Sequence, residues 1–216
     1  MSPSPQALAE GGPVLIDGFL TKKACAAILE ELEFALWRPS TVVVRKCDGA
    51  LENRRSGCRI SETAGQEWFG RELARRIGSM ETRLAAIVER PPERYEDWQA
   101  TLYRPGGRFA PHLDAGHCGA EPAGEREWTA LIYLDAPRRG GGTRFPALGL
   151  SVEPRAGRLV LWRNLLPDGA PDPRMEHAGE PVRAGRKTTL VTWIRQRAIR
   201  PAAADDFAAE GGPHGR

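Results

Sequence analysis

Cysteine is scarce in this 216-residue chain. Cys25, Cys47, Cys58 and Cys118 form no Cys-x-x-Cys pair, which excludes a small disulfide-stapled scaffold and predicts free thiols in a reducing cytoplasm. Long apolar runs are lacking too, so no segment reads as a membrane span. Residues 1–13, rich in Pro, Ser, Ala and Gly, have neither the basic start nor the apolar core of a signal peptide and predict a flexible N-terminus. Neither sign of charge prevails: Lys and Arg number 31 against 28 for Asp and Glu, and the basic residues are scattered, which argues against a nucleic-acid-binding protein. The glycine run at 140–142 has no Gly-Lys-Ser/Thr element and no helix after it, so it is a tight turn and not a phosphate loop.

What remains is the composition of one globular domain, 41% hydrophobic, long enough for a two-layer core. Residues 14–20 predict a short buried strand running into Thr21, a helix N-cap. Cys25, Ile28, Leu29, Leu32 and Leu36 recur at helical spacing, predicting a helix that Pro39 stops. Residues 41–45 are β-branched and predict a strand. The polar stretch from 46 to 65 predicts a loop or lid near the substrate. Helical spacing returns with Trp68, Phe69, Leu73, Ile77, Met80, Leu84, Ile87 and Val88, a stripe suited to core packing that Pro91-Pro92 ends. Strands are then expected at 98–103, 108–114, 128–134, 157–163, 176–182 and 187–196, separated by Gly and Pro clusters. Helices followed by strands indicate an α+β fold. The closing segment, 198–216, is rich in Ala, Pro, Gly and Asp and predicts a disordered tail.

Chemistry concentrates near one pair. In Pro111-His112-Leu113-Asp114 the His-x-Asp spacing places imidazole and carboxylate on one face of a strand, with Leu113 on the other. His177 precedes Pro181-Val182 and an alternating strand, so it can lie on a neighbouring strand of the same barrel. Two His and one carboxylate with open positions form the facial triad of non-haem Fe(II) oxygenases. His117, the nearest competing imidazole, follows Ala115-Gly116 in a turn and reads as a substrate-loop residue or one without a role; Cys118, four residues after Asp114, reads as a small loop residue near the metal. Lys187 shares a face with Thr189, Val191 and Trp193; an ammonium among such residues needs an anion. Arg186 points to the other face, and Trp162 is expected inside the barrel.

Three ordered motifs carry a resemblance. The run Tyr103-Arg104-Pro105-Gly106-Gly107-Arg108-Phe109-Ala110-Pro111-His112-Leu113-Asp114, the run Gly140-Gly141-Gly142-Thr143-Arg144-Phe145-Pro146, and the spacing from His177 through Pro181-Val182 and Gly185 to Lys187 resemble the prolyl 4-hydroxylase type of Fe(II)- and 2-oxoglutarate-dependent dioxygenases. The resemblance covers residues 96–197, the expected catalytic core. It implies a double-stranded β-helix, or jelly roll, with residues 14–95 supplying a strand and supporting helices to the same domain. It further implies Fe(II) on His112, Asp114 and His177, and 2-oxoglutarate held at its distal carboxylate by Lys187 and Tyr103, with Thr129 a weaker contact. O2 is the oxidant and ascorbate an accessory reductant that the resemblance admits. Asp114, in place of the Ala or Gly of halogenating relatives, implies hydroxylation.

The implied reaction is hydroxylation of an unactivated C–H bond, with release of succinate and CO2, in a prolyl or other amino-acid or peptide-like substrate. Arg54, Arg55 and Arg59, in the polar stretch, would suit an anionic small molecule or peptide. No nucleic-acid or membrane partner is expected. Two other readings stand: a jelly-roll isomerase or hydrolase using a redox-inactive metal, or a non-catalytic binding module. Lys187 and Tyr103 discriminate against the first, and the intact triad against the second.

Overall fold

The computed structural model describes residues 11–45 and 51–201. In chain order the first half holds β1 (Val14–Ile16), α1 (Lys22–Leu32), β2 (Arg38–Pro39), β3 (Val42–Arg45), β4 (Leu51–Arg54), β5 (Arg59–Ile60), β6 (Glu62–Gly65) and α2 (Arg71–Val88). The second half is strands: β7 (Gln99–Tyr103), β8 (Arg108–His112), β9 (Arg126–Tyr133), β10 (Arg139–Gly140), β11 (Thr143–Phe145), β12 (Leu150–Val152), β13 (Leu159–Arg163), β14 (His177–Gly179), β15 (Val182–Ala184) and β16 (Lys187–Arg195).

A seven-stranded sheet runs β1-β13-β9-β16-β7-β6-β2, and a five-stranded sheet runs β12-β11-β14-β8-β5. Pairing is antiparallel in both. Period-two alternation sorts the side chains of the large sheet into two layers. Ala130 and Ile132 of β9, Leu161 of β13, and Leu190 and Ile194 of β16 join the buried faces of α1 and α2 in one core. On the opposite face Tyr133, Val160 and Trp162 meet Phe145 and Val152 of the small sheet in a second, smaller core. The arrangement is a double-stranded β-helix with helices on one outer face.

Several boundaries differ from the expectation. Thr21 does cap α1, its hydroxyl accepting from the Ala24 N–H at 3.1 Å. The helix, however, ends at Leu32, well before Pro39, because the chain tightens into i→i+3 bonds, from Phe34 N–H to Glu31 O and from Ala35 N–H to Leu32 O. Leu36 therefore lies outside the helix, 40% exposed. Pro39 sits instead on the edge strand β2, where a missing N–H is tolerated.

The polar stretch expected as a loop carries three strands, β4, β5 and β6, with residues 46–50 outside the described set. Their polarity reflects edge or near-edge placement: in β6 only Ala64 is buried. The long helix begins at Arg71, after a single turn at Gln66–Trp68 that leaves Trp68 44% exposed and off the buried stripe. Gly70 offers no side-chain cap; Glu31 of α1 accepts from the Glu72 and Leu73 N–H groups at 3.1 and 2.8 Å in its place. Residues 176–182 divide into β14 and β15, interrupted at Pro181, which has no N–H to donate.

Of the expected tail, residues 198–201 are docked. Ile199 and Arg200 N–H groups both donate to Glu93 O, and the Arg200 guanidinium pairs with Glu81 at 3.0 Å. Residues 1–10 and 202–216, most of the two terminal segments, lie outside the described residues. Cys25, Cys58 and Cys118 are free thiols, and Cys47 lies outside the described residues. Among the described residues no helix is long and apolar enough to cross a membrane.

Candidate active site

His112 closes β8 and His177 opens β14, and the two are register partners in the small sheet. Their ring centroids lie 4.2 Å apart. Each Nδ1 faces a carbonyl two residues back, Ala110 O at 2.9 Å and Met175 O at 3.0 Å. A carbonyl only accepts, so Nδ1 carries the proton of the neutral ring and Nε2 keeps its lone pair. Asp114 lies two residues beyond the end of β8, on a bend instead of the strand itself. Its oxygens nevertheless sit 3.7 Å from each imidazole, Oδ1 from His112 Nε2 and Oδ2 from His177 Nε2. One donor atom from each of the three residues falls within 4.8 Å of the others.

The electrostatics favour a cation here. Burial and the neighbouring His177 push His112 down to about 4, so its ring is neutral at physiological pH. Burial alone would raise Asp114, but the two imidazoles, Arg126 and the Thr129 hydroxyl carry it down to about 2, leaving a carboxylate. Aromatic packing fixes the rings: Phe109 stacks on His112 at 3.7 Å, and Trp162 sets its edge against His177 at 4.8 Å. Trp162 is buried inside the barrel, as expected.

The triad opens into a pocket also lined by Tyr103, Thr143, Gly179, Lys187, Val191 and Trp193. Lys187 is buried among them, its Nζ lying over the Tyr103 ring at 4.2 Å and donating to Gly141 O at 2.9 Å. Burial lowers the ammonium to about 8, against the pull of Glu180 and Asp135. No carboxylate of the described residues comes within ion-pair distance of it. Burial also pushes the Tyr103 phenol up, so it stays a hydrogen-bond donor. Gly141, at φ +76°, turns its carbonyl toward Lys187, a backbone conformation an L-residue rarely adopts.

Other candidates fall elsewhere. His117 is exposed. Cys118 is buried off the pocket, its backbone N–H bonded to Glu125. Arg186 pairs with Asp135 at 3.3 Å. Thr129 does line the pocket, but its hydroxyl donates to Asp114 Oδ2 at 2.7 Å, which makes it a partner of a triad residue. Of the three arginines in the polar stretch, only Arg59 reaches the pocket, 4.7 Å above the Phe109 ring. Arg55 lines an adjoining groove that shares Arg59, and Arg54 is exposed outside both. Sequence reasoning passed over Asn164, which bonds Thr129 at 2.9 Å. It also passed over the Thr143 hydroxyl, 2.6 Å from the Tyr133 phenol, although the Gly-Gly-x-Thr spacing marks Thr143.

A sequence profile of the 2OG-Fe(II) oxygenase superfamily matches residues 98–195, the stretch that builds this pocket. That stretch is a 2OG-Fe(II) oxygenase domain, and the chain resembles the prolyl 4-hydroxylase type. This oxygenase is 27% identical to prolyl 4-hydroxylase 13 of Arabidopsis thaliana over 84% of its own length and 70% of the relative's. It is 32% identical to prolyl 4-hydroxylase subunit alpha-1 of Gallus gallus over 64% of its length, a match spanning only 28% of that larger subunit. In solved structures the fold recurs in the viral collagen prolyl hydroxylase of Paramecium Bursaria Chlorella virus-1 as its 2OG complex, with TM-score 0.66, 24% identity, and 87% and 98% of the two chains covered. A Trichoplax adhaerens prolyl hydroxylase in complex with a hypoxia inducible factor oxygen degradation domain peptide fragment has TM-score 0.62 at 18% identity, covering 88% and 86%. Oxygenases of this family use Fe(II), 2-oxoglutarate and O2. Two imidazole nitrogens and a carboxylate are the donor set such an iron takes.

Proposed function

We propose that the protein is an Fe(II)- and 2-oxoglutarate-dependent hydroxylase in which His112, Asp114 and His177 bind the metal and Lys187 and Tyr103 bind the distal carboxylate of 2-oxoglutarate. The observation that carries the reading is the pairing, in one pocket, of a three-donor cluster with a buried ammonium that has no acid partner among the described residues. Their separation suits the cosubstrate. His177 and Gly179 are two residues apart on β14, about 6–7 Å of strand rise, and a Cβ at Gly179 would lie 3.8 Å from Lys187 Nζ. A five-carbon keto diacid spans such a gap, with its keto-acid end at the triad and its far carboxylate at Lys187.

In that role the chain positions and shields. Iron and O2 supply the oxidising power, by oxidative decarboxylation of 2-oxoglutarate to succinate and CO2. Lys187 neutralises the far carboxylate, Tyr103 donates to it, and Gly141 O holds the ammonium in place. Phe109, Trp162 and Trp193 line the pocket and exclude water from it, with Arg59 also on its wall. The substrate we assign is a prolyl or other amino-acid residue in a peptide-like molecule. The peptide bound to the Trichoplax hydroxylase and the names of the curated relatives support it. A redox-inactive metal enzyme would leave Lys187 and Tyr103 without work.

The test is anaerobic. Fe(II) and 2-oxoglutarate are added to purified protein and the visible metal-to-ligand charge-transfer band is recorded, then repeated with His177→Ala and Lys187→Ala. A band lost in the first variant and weakened in the second is expected, followed by succinate release with a screened peptide panel. Absence of the band in iron-replete wild type would overturn the assignment.

A further inference from the structure

We propose that Asn164 is a positioning residue for the metal site, acting on the Asp114 carboxylate through the Thr129 hydroxyl. The proposal rests on reading His112, Asp114 and His177 as the metal ligands. Thr129 of β9 is the register partner of Trp162 of β13, and Asn164 follows Trp162 by two residues, just past the strand end. Asn164 Nδ2 donates to Thr129 Oγ1 at 2.9 Å, and that hydroxyl donates to Asp114 Oδ2 at 2.7 Å. All three residues are buried, Thr129 at 1% and Asn164 at 2% exposure.

The polarity of this chain is forced. An ionised carboxylate only accepts, so Thr129 spends its single proton on Asp114 and must receive a donor on its remaining lone pairs. Among the described residues only the amide NH2 of Asn164 gives one. A threonine hydroxyl left alone would be free to rotate its proton away; with Asn164 donating, it is locked toward Asp114.

A purely structural role accounts poorly for an asparagine here. Its backbone already makes the architectural bonds, the N–H to Glu127 O and the carbonyl to Asp172 N–H, both at 2.8 Å. Among the described residues the side chain bonds only Thr129, and its Oδ1 is buried with no partner, an arrangement an apolar residue would avoid. Asn164 also lies outside the pocket lining, so it does not touch substrate. The work left to it is orientation of a ligand. With Oδ2 engaged by Thr129, Asp114 offers Oδ1 as the freer donor, which favours ligation through one oxygen and keeps coordination positions open.

Mn(II) binding to the metal-free protein, by titration calorimetry, tests this together with thermal melting. The proteins compared are wild type, Thr129→Val, Thr129→Ser, Asn164→Leu, Thr129→Val/Asn164→Leu and, as control, His177→Ala. Removing partners of metal ligands weakens binding by about 10–100-fold, and that loss is expected in Thr129→Val and in Asn164→Leu, with Thr129→Ser restoring affinity. The metal-free melting temperature of Asn164→Leu should stay near or above wild type, a split that a structural role would not give. Because Asn164 acts through Thr129, the double variant should bind no more weakly than Thr129→Val alone. Should Leu not be accommodated, Asn164→Ala carries the same expectation for Mn(II). Wild-type affinity in the Asn164 variants, or losses that multiply in the double variant, would overturn the proposal. Wild type that binds no better than His177→Ala would instead remove the metal-site reading on which it depends.

Discussion

Replacing Lys187 with Met should stabilise the metal-free protein at neutral pH while removing its hold on 2-oxoglutarate. Burial lowers the Lys187 ammonium from 10.5 to about 8, so a protonated Lys187 costs the fold about 3 kcal/mol at about 1.4 kcal/mol per pH unit. Two contacts offset part of that. The bond to Gly141 O is worth about 1 kcal/mol net, and the cation over the Tyr103 ring about 1 kcal/mol. The balance for Lys187→Met is a gain of about 1 kcal/mol, or about 2–4 °C in melting temperature for a domain of this size. The sign with pH follows from linkage. Below about 8 both folded and unfolded lysine are protonated and the full cost is present. From there to 10.5 the unfolded chain binds more protons, so wild-type stability rises with pH and the advantage of the variant closes. The assay is a melting series from pH 6.5 to 10.5 on metal-free protein, followed by the same melts with Mn(II) and 2-oxoglutarate. The cosubstrate should raise the wild-type midpoint and leave that of Lys187→Met where it was. A variant several degrees less stable than wild type at pH 7 would refute the reasoning, since Lys187 would then be a structural residue and not a vacant counter-ion.

The same lysine sets a pH dependence of binding. With the empty site titrating at about 8, affinity for 2-oxoglutarate should fall about tenfold between pH 7 and pH 9, one pH unit above that value. Lys187→Arg, whose charge persists, should flatten the profile; a flat wild-type profile would count against Lys187 as the anion partner. On the helical face, Glu31→Ala removes the acceptor for two N–H groups at the start of α2 and should cost about 1–2 kcal/mol in denaturant unfolding, whereas an exposed Glu such as Glu33 should cost almost nothing when changed. Gly157→Ala should be more damaging. The residue sits at φ +82° and a Cβ there would strike the Leu20 carbonyl, so a loss of at least about 2 kcal/mol is expected, and unchanged stability would mean that this corner relaxes freely.

What could be seen in the chain beforehand follows which interactions are written locally. The amphipathic stripe of α2 and the inward face of β16 are periodic in sequence, and both appear where periodicity puts them, with Lys187, Thr189, Val191 and Trp193 lining one pocket. The triad was legible for a related reason: His112 and Asp114 are near neighbours, and a strand placed His177 beside them. Its geometry was not, because Asp114 lies past the strand end, and convergence depends on the bend and not on the pleat. Short strands near the sheet edge were missed where one or two residues carry all the burial, as with Ala64 in β6; such strands are held by the ladders of their neighbours, which no local pattern reports. The end of α1 was misplaced because Pro39 looked like a stop signal, while the helix had closed about two turns earlier on its own backbone bonds. Least legible of all were contacts between polar residues far apart in sequence. Glu31 capping α2 and Asn164 reaching Thr129 each join segments separated by more than thirty residues, and neither residue type stands out where it occurs. These partnerships exist only once the sheet has brought β9 and β13 side by side and laid α1 on α2, so they are products of the fold. The inference about Asp114 therefore had to come from a buried amide whose oxygen has no partner among the described residues, a feature that is conspicuous in three dimensions and has no counterpart in the sequence.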